Sequence, residues 1–539
     1  MSFLTEEVDM STLKKTGRWT RRDFLRQLAA GISVPYVTRF PGFRTSALLN
    51  DLFWVKGIPD LPFYDPSRPN RHIGLDSLLY LMADNGLKFY RSSGGHPFSG
   101  PSGLIASRDI VLIKVNAQWK YRGCTNSDLI RGLIRRILDH PDGFEGEVVI
   151  IENGQGRGSL RCDTPSAYGG DSSVRANANN EKHHFLYLVD TVFADPRVSA
   201  FLLDPIRGTF IGDNDHTRDG YRKIENVSYP CFTTAGGNRV ELGEGVWRSG
   251  AHRGNLKLIN VPVLKHHDTG GSEITASLKH MYGLVSMSDG QSGIRHYGQL
   301  GETCGKMMAS VAKPVLNIVD AIWVSYSSLT GYPAGTTFRA NQLLASQDPV
   351  AVDYWAAKYI LYPIDGNSRH HPDFSGVNTW LGQAMNTINS RGGLLNPDKG
   401  ILVGRVTKSE AEMRTHTSNA GEFLNDVRLS VSSSGLHFTA LFGEVMTREK
   451  PLAIAVSGAS PLAWSIETDA RWLSCVPASG SGNTTIAVLA RPGGLEPGTH
   501  TGRIRIICPG AANSPLVVSV TLKVIQQGRQ AERLSGSRS

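Results

Sequence analysis

Cysteine is scarce and unpatterned. The 539 residues hold six, Cys124, Cys162, Cys231, Cys304, Cys475 and Cys508. None forms a C-x-x-C pair or sits at zinc or ferredoxin spacing, which argues against a cysteine-ligated iron–sulfur cluster on this chain and leaves any cofactor unassigned. Apolar runs are short. None approaches the ~20 residues of a membrane helix, so no transmembrane span is expected. The formal charge is +9, but part of the basic excess sits near the two ends, in Lys14, Lys15, Arg18, Arg21, Arg22 and Arg26, and in Arg529, Arg533 and Arg538. No RNA- or DNA-binding motif accompanies it, so nucleic acid is not an expected partner. G-x-S-x-G, H-E-x-x-H and Walker sequences are absent, which removes every recognised catalytic signature.

What is present is globular. Hydrophobic residues make up 40% and charged residues 19%, outside the range of disordered chains. At ~100–200 residues per domain, the length predicts two to four units. Residues 48–420 read as one α/β unit. Short continuous apolar runs predict strands at Ile110–Val115, Val148–Glu152, Leu258–Leu264 and Ile318–Val324, as expected where both sheet faces are covered. Leu129, Ile130, Leu133, Ile134, Ile137 and Leu138 recur at helical spacing within Asn126–His140, with Asn126 or Ser127 as N-cap. Asp348–Tyr362 reads as another helix, opened by Pro349. The alternation predicts an α/β fold with a mainly parallel sheet and flanking helices. Gly154–Asn180 and Pro205–Arg253 read as irregular loops over it.

The N-terminal segment Arg18-Trp19-Thr20-Arg21-Arg22-Asp23-Phe24-Leu25-Arg26 resembles a twin-arginine export signal, with Leu28–Val37 as its apolar region. The resemblance implies that residues 1–47 are targeting sequence, that the export machinery is a partner, and that the protein is periplasmic or associated with the cell envelope. That route carries folded proteins, often with a cofactor already seated.

The densest chemistry lies in Leu256–Ser286. An apolar strand leads into Lys265, His266, His267 and Asp268, then a Gly270-Gly271 turn, then a helical stretch with Lys279, His280 and Gly283. Polar groups just past a buried strand are where open α/β folds place ligand sites. Ile259-Asn260-Val261-Pro262-Val263-Leu264-Lys265 with His267 resembles the central I-N-x-P-x-x-K-x-H signature of the domain of unknown function 362 family. Ile110–Asn116 resembles its first strand, ending K-x-N. Thr125 and the helix after it, and Ala345-Ser346-Gln347-Asp348-Pro349-Val350-Ala351-Val352-Asp353, resemble two further segments. The resemblance implies a domain and a pocket but no reaction. Some relatives are fused to ferredoxin-like modules, a pattern from which this chain departs.

Lys114, Asn116, Glu152, Lys265 and His267 all fall at strand ends, which converge on one crevice if the strands are parallel. Lysine suits phosphate or carboxylate, and burial can lower its pKa into the general-base range. Lys265, His267 and Lys114 are the candidate catalytic residues. Asn116, Glu152, Asn260, Lys279 and Asp348 are the candidate substrate-binding residues, for a small anionic ligand. His267 with Asp268 forms either an acid–base pair or two ligands of a metal site. Each has a plainer alternative: Lys114 as a cap for strand-end carbonyls, His266 as an exposed side chain, Asp348 as a helix N-cap. Asp213-Asn214-Asp215-His216 is oxygen-rich but lacks the EF-hand continuation. Arg369–Asp373 and His183-His184 read as surface features, and Gly154–Gly158 does not complete a dinucleotide fingerprint.

From Leu429 to Ile525 the texture changes to short alternating strands broken by Gly, Pro and Ser, the pattern of a β-sandwich. Arg471-Trp472-Leu473-Ser474, Pro477-x-Ser479-Gly480 and Gly494-Leu495-x-Pro497-Gly498 resemble a BACON domain, an immunoglobulin-like module. That resemblance implies a carbohydrate- or partner-binding role. Trp464 is the candidate sugar platform, against the alternative that such tryptophans pack the core. Cys475 and Cys508 fall near strand ends, where export would allow them to pair. Residues 526–539 read as a loose tail. Two functions stand against each other: an exported enzyme acting on a small anion or cofactor, redox-linked or not, and a non-catalytic envelope protein gripping glycan or an envelope protein.

Overall fold

The computed structural model describes residues 48–93, 96–163, 173–267, 274–286, 298–332, 334–396, 401–425, 427–456, 462–509, 511 and 513–526. The twin-arginine-like segment, Asp268 and the Gly270-Gly271 turn lie outside them.

The larger part is built on a ten-stranded mixed sheet. Its strands are β1 (Asp51–Lys56), β2 (Ile110–Val115), β3 (Glu147–Glu152), β4 (Val198–Leu202), β5 (Leu256–Val261), β6 (Val263–His266), β7 (Ile274–Thr275), β8 (Leu316–Ser325), β9 (Thr337–Ser346) and β10 (Arg414–Asn419). The order is β10-β1-β9-β8-β5-β2-β3-β4, with β6 pairing β7 and β8. The run β8-β5-β2-β3-β4 is parallel throughout. The sheet is mixed but mostly parallel, since β1–β10 and β6–β8 also pair in parallel; the antiparallel exceptions are β9 against both its neighbours, β1 and β8, and β7 against β6. Strands β2, β3 and β5 are buried at every residue. Their continuous apolar runs follow from that, with core on both faces.

Helix α1 (Ile73–Asp84) and helix α2 (Ser127–Leu138) pack on one face of this sheet. Asn126 caps α2, its side chain accepting from the Leu129 N–H at 3.0 Å. On the other face lie α3 (Ser277–His280), α4 (Leu300–Lys306), α5 (Pro349–Ala356) and α6 (Ser375–Ser390).

Two stretches depart from the sequence expectation. The single strand expected over Leu258–Leu264 is two, β5 and β6, separated at Pro262, which has no N–H to offer a ladder. Pro205–Arg253, expected to be irregular, contains a five-stranded antiparallel sheet from Gly220 to Arg253. Its strands are short, and Tyr221, Tyr229, Phe232 and Val240 pack into the core beneath the main sheet. Gly154–Asn180 has no named helix or strand among its described residues.

The C-terminal part holds two further β-sheets, of four and five strands between Leu429 and Ile525. Pairing is antiparallel except where Gly435–Leu441 runs parallel to Leu516–Ile525. Inward side chains of both sheets share one core, including Leu452, Ile486, Val488, Ile504, Val520 and Leu522. Among the described residues no helix is long and apolar enough to cross a membrane.

Candidate functional site

The parallel run places the C-terminal ends of β2, β3 and β5 along one edge. Asn260 of β5 stands opposite Lys114 of β2, and Lys114 opposite Ile151 of β3. The ends of the three strands therefore carry Lys114, Glu152 and Asn260 side by side, with Lys265 following on β6.

Lys114 and Glu152 form a buried ion pair, Nζ to Oε1 2.8 Å, with both side chains at most 2% exposed. Lys114 Nζ also donates to the Val115 carbonyl at 2.9 Å. The Glu152 carboxylate accepts from the Ala117 and Asn153 N–H groups at 3.0 and 2.8 Å. Burial pushes the lysine down and the carboxyl up, and each is held back by its partner. Gly283 seals the pair: a Cβ there would lie 2.2 Å from Glu152 Oε1 and 2.5 Å from Lys114 Nζ. That contact explains the glycine four residues after Lys279.

Lys265 is buried, and its Nζ donates to the Gly123 carbonyl at 2.7 Å. Burial first, then the like charges of Lys279 and Lys114, bring its pKa down to about 7, with Cys124 and Glu152 partly offsetting them. Lys279 is also buried, with Nζ 4.5 Å from the Tyr282 ring centre.

Asn260 organises the floor. Its Nδ2 donates to the Ser277 carbonyl at 3.0 Å and to Asn317 Oδ1 at 2.9 Å. Its Oδ1 is left to face His280 Nδ1 at 2.6 Å, so Nδ1 carries the hydrogen and Nε2 a lone pair. That Nε2 is buried with no hydrogen-bond partner among the described residues. Burial first, then the charges of Lys114 and Lys265, hold the His280 imidazole neutral, against an opposing contribution from the Val115 backbone. His280 was not singled out from the sequence, where it reads as one more helical residue beside Lys279.

Asn116 ties the strand ends together. Its Oδ1 accepts from the Val263 N–H at 2.9 Å, across the break at Pro262. Its backbone exchanges bonds with Thr125, whose Oγ1 donates to the Val261 carbonyl at 2.8 Å. Asp348 is the N-cap of α5: its carboxylate accepts from the Val350, Ala351 and Thr407 N–H groups at 2.8–2.9 Å and from Asn50 Nδ2 at 3.2 Å. Asp353 accepts from the Ser277 and Leu278 N–H groups and the Ser277 hydroxyl, so it orients α3 and with it Lys279 and His280. Burial raises both carboxyls to about 7.

His266 is half-buried rather than exposed, with Nδ1 2.9 Å from His370 Nε2. His370 in turn faces Asp365. The Arg369–Asp373 segment thus belongs beside β6, which no local sequence signal shows. His267 is half-buried at the end of β6. The Gly154 and Gly156 N–H groups donate to the Asp204 carboxylate at 2.6 and 2.7 Å, so this glycine loop holds an acid of its own chain. The candidate sugar platform Trp464 is buried, donates Nε1–H to the Gly482 carbonyl at 3.0 Å, and has Gly480 against its ring. Cys475 and Cys508 are buried free thiols, so the expected pairing is not made. The described trio of metal-ligating groups lies away from these strand ends, at His216, Glu241 and His252.

Residues 255–358 match the family model described as Domain of unknown function (DUF362). No curated protein matches the chain. Among solved structures, similarity extends to a Bacteroides ovatus GH5 xyloglucanase in complex with a heptasaccharide, at 16% identity over 18% of this chain and 19% of that one, TM-score 0.14. A putative carbohydrate binding protein from Bacteroides ovatus gives 10% identity over 18% of this chain and 36% of that one, TM-score 0.16. The PapD-like domain of human CEP192 gives 16% over 19% and 88%, TM-score 0.17. At such scores these likenesses carry no argument.

Proposed function

We propose that the strand-end crevice binds a small anionic substrate or cofactor and that Lys265 both attracts it and exchanges a proton with it. The observation that carries this reading is Lys265 itself: an amine buried at the β6 end, bonded to a neutral carbonyl, with a pKa near 7. A lysine poised in this way is a cation for an arriving anion and a base once it has released its proton. Lys114 with Glu152 fixes the local charge, and Asn260 holds His280 as a neutral imidazole that can accept a hydrogen bond on Nε2. Lys279 and His267 border the same segment, and Asn116 sets the distance between the strand ends. On this reading the protein is an enzyme exported by the twin-arginine route to the periplasm or envelope. Its C-terminal β-sheets form an immunoglobulin-like module of the BACON kind that attaches it to glycan or to an envelope protein.

The test is thermal unfolding of the full chain with and without sulfate, phosphate, oxalate and simple carboxylates. At least one anion is expected to raise the melting temperature of the wild type. Lys265→Ala should remain folded while losing that rise. Unfolding of Lys265→Ala in the absence of ligand would make Lys265 a structural residue and sink the proposal. Stabilisation that leaves catalytic turnover undetectable across the same compounds would favour the non-catalytic binding protein instead.

A further inference from the structure

The small antiparallel sheet carries a second group of chemistry-bearing side chains. Glu241 ends the strand Arg239–Glu241 and is fully buried. His252 lies on the strand Ala251–Arg253, and His216 on the loop before Gly220. His216 Nδ1 stands 2.7 Å from Glu241 Oε1, and His252 Nε2 stands 2.6 Å from Glu241 Oε2. One ligand atom from each residue lies within 4.8 Å of the other two. Trp247 stacks flat on His216, ring centres 3.5 Å apart, and meets His252 edge-on at 4.9 Å.

Simple hydrogen bonding accounts poorly for this arrangement. Arg222 Nη1 is already 2.5 Å from Glu241 Oε2 and neutralises the carboxylate. Two further imidazoles are more than it needs. The two rings and the carboxylate bring one lone-pair atom each to within 4.8 Å of one another, and a cation between them takes lone pairs from all three. Arg222 then holds the carboxylate from behind, as outer hydrogen bonds do for ligating carboxylates. Two arginines stand behind the carboxylate: Arg222 Nη2 also donates to the Asp215 carbonyl at 2.8 Å, and Arg239 pairs through Nη1 with Asp219 at 2.8 Å while its Nε lies 3.6 Å from Glu241 Oε1.

We propose that His216, Glu241 and His252 form a three-ligand site for a divalent transition-metal ion of the zinc class. Two imidazoles and a carboxylate are the donors such ions take, and three protein ligands leave a coordination position open. The histidine side chains are 19% and 27% exposed, so an ion has an entry path, while Trp247 supplies an apolar wall. This site is independent of the strand-end crevice and of the function proposed for it.

The experiment uses the full chain, stripped of metal with a chelator and titrated with zinc by calorimetry, then loaded with cobalt and read by its visible d–d absorption. One equivalent of zinc should bind. His252→Ala and His216→Ala should each weaken it by about 100-fold, the upper end of what losing even an outer partner costs, and should lose the cobalt spectrum. His183→Ala/His184→Ala, a histidine pair elsewhere, should leave both readouts unchanged. His252→Gln, at the more exposed ligand, serves if His216→Ala fails to fold. Absence of stoichiometric uptake by the wild type, or equal uptake by the His216 and His252 variants, would overturn the assignment.

Discussion

Removing the Glu152 charge while keeping its shape should expose how far the crevice depends on one buried pair. The carboxylate takes the Ala117 and Asn153 N–H groups on separate oxygens, at 3.0 and 2.8 Å, so in Glu152→Gln the single amide oxygen keeps one of these bonds and the NH2 faces the other donor. The amide can no longer hold the Lys114 ammonium, which sits 2.8 Å away with its side chain fully buried. Breaking a buried pair from one side costs about 3–5 kcal/mol. Burial already pushes Lys114 down, so the amine escapes part of that cost by losing its proton, and the expected loss is near the lower end, about 3 kcal/mol. At about 2.1 cal/mol/K per residue over the α/β unit of residues 48–420, each kcal/mol moves the midpoint by about 1.3 °C, and the melting temperature should fall by roughly 4 °C. Lys114→Met/Glu152→Leu removes both charges and should recover most of this, because replacing a buried pair by apolar groups is often close to neutral. Calorimetric or fluorescence melts of Lys114→Met, Glu152→Leu and the double complete the cycle. A single variant that loses under about 1 kcal/mol, or a double that loses the sum of its singles, would refute the reasoning.

Three other outcomes follow from the same geometry. Gly283→Ala places a methyl 2.2 Å from Glu152 Oε1 and should destabilise the protein, in the circular-dichroism melt, by an amount comparable to Glu152→Gln. Asp348→Asn tests a raised carboxyl. The folded pKa of about 7 stands above the ordinary 3.8 of an aspartate, so the native state keeps a proton the unfolded chain has released. The stability of the wild type relative to Asp348→Asn should therefore be greatest near pH 4 and shrink as pH rises towards 7, as read from paired melts across that range. Lys265 has the opposite sign: its folded pKa of about 7 lies below 10.5, so its burial penalises stability most at and below pH 7. Relative to Lys265→Met, the wild type should gain stability as pH rises from 7 towards 10, in the same assay.

Much of the framework was legible because local pattern and tertiary environment agree. Ile110–Val115 is apolar throughout except Lys114, and it is a strand of those bounds, buried on both faces. The α2 cap at Asn126 follows from a side chain that accepts a backbone N–H before an amphipathic run. Where local pattern is thin the reading failed. The sheet over Gly220–Arg253 is made of strands as short as three residues, interrupted by Gly245 and carrying Arg222, Glu241 and His252 inside, so neither period nor apolarity marks it. The site behaved in the same way. That Lys114 and Lys265 stand at strand ends was readable; that Glu152 neutralises one of them depends on register. The approach of His370 to His266 joins residues 104 positions apart. His280 gave no signal, because its role comes from Asn260 beneath it.

The most direct measurement is calorimetric titration of the full chain with sulfate, whose own charge does not change between pH 6 and pH 9. If Lys265 is the cation of the crevice, sulfate binds at pH 6 and loses affinity by about tenfold for each pH unit above 7 as the amine deprotonates. Lys265→Ala, still folded at the temperature of the titration, shows no binding at either pH. Sulfate affinity that is flat with pH, or equal in the wild type and Lys265→Ala, would contradict the account.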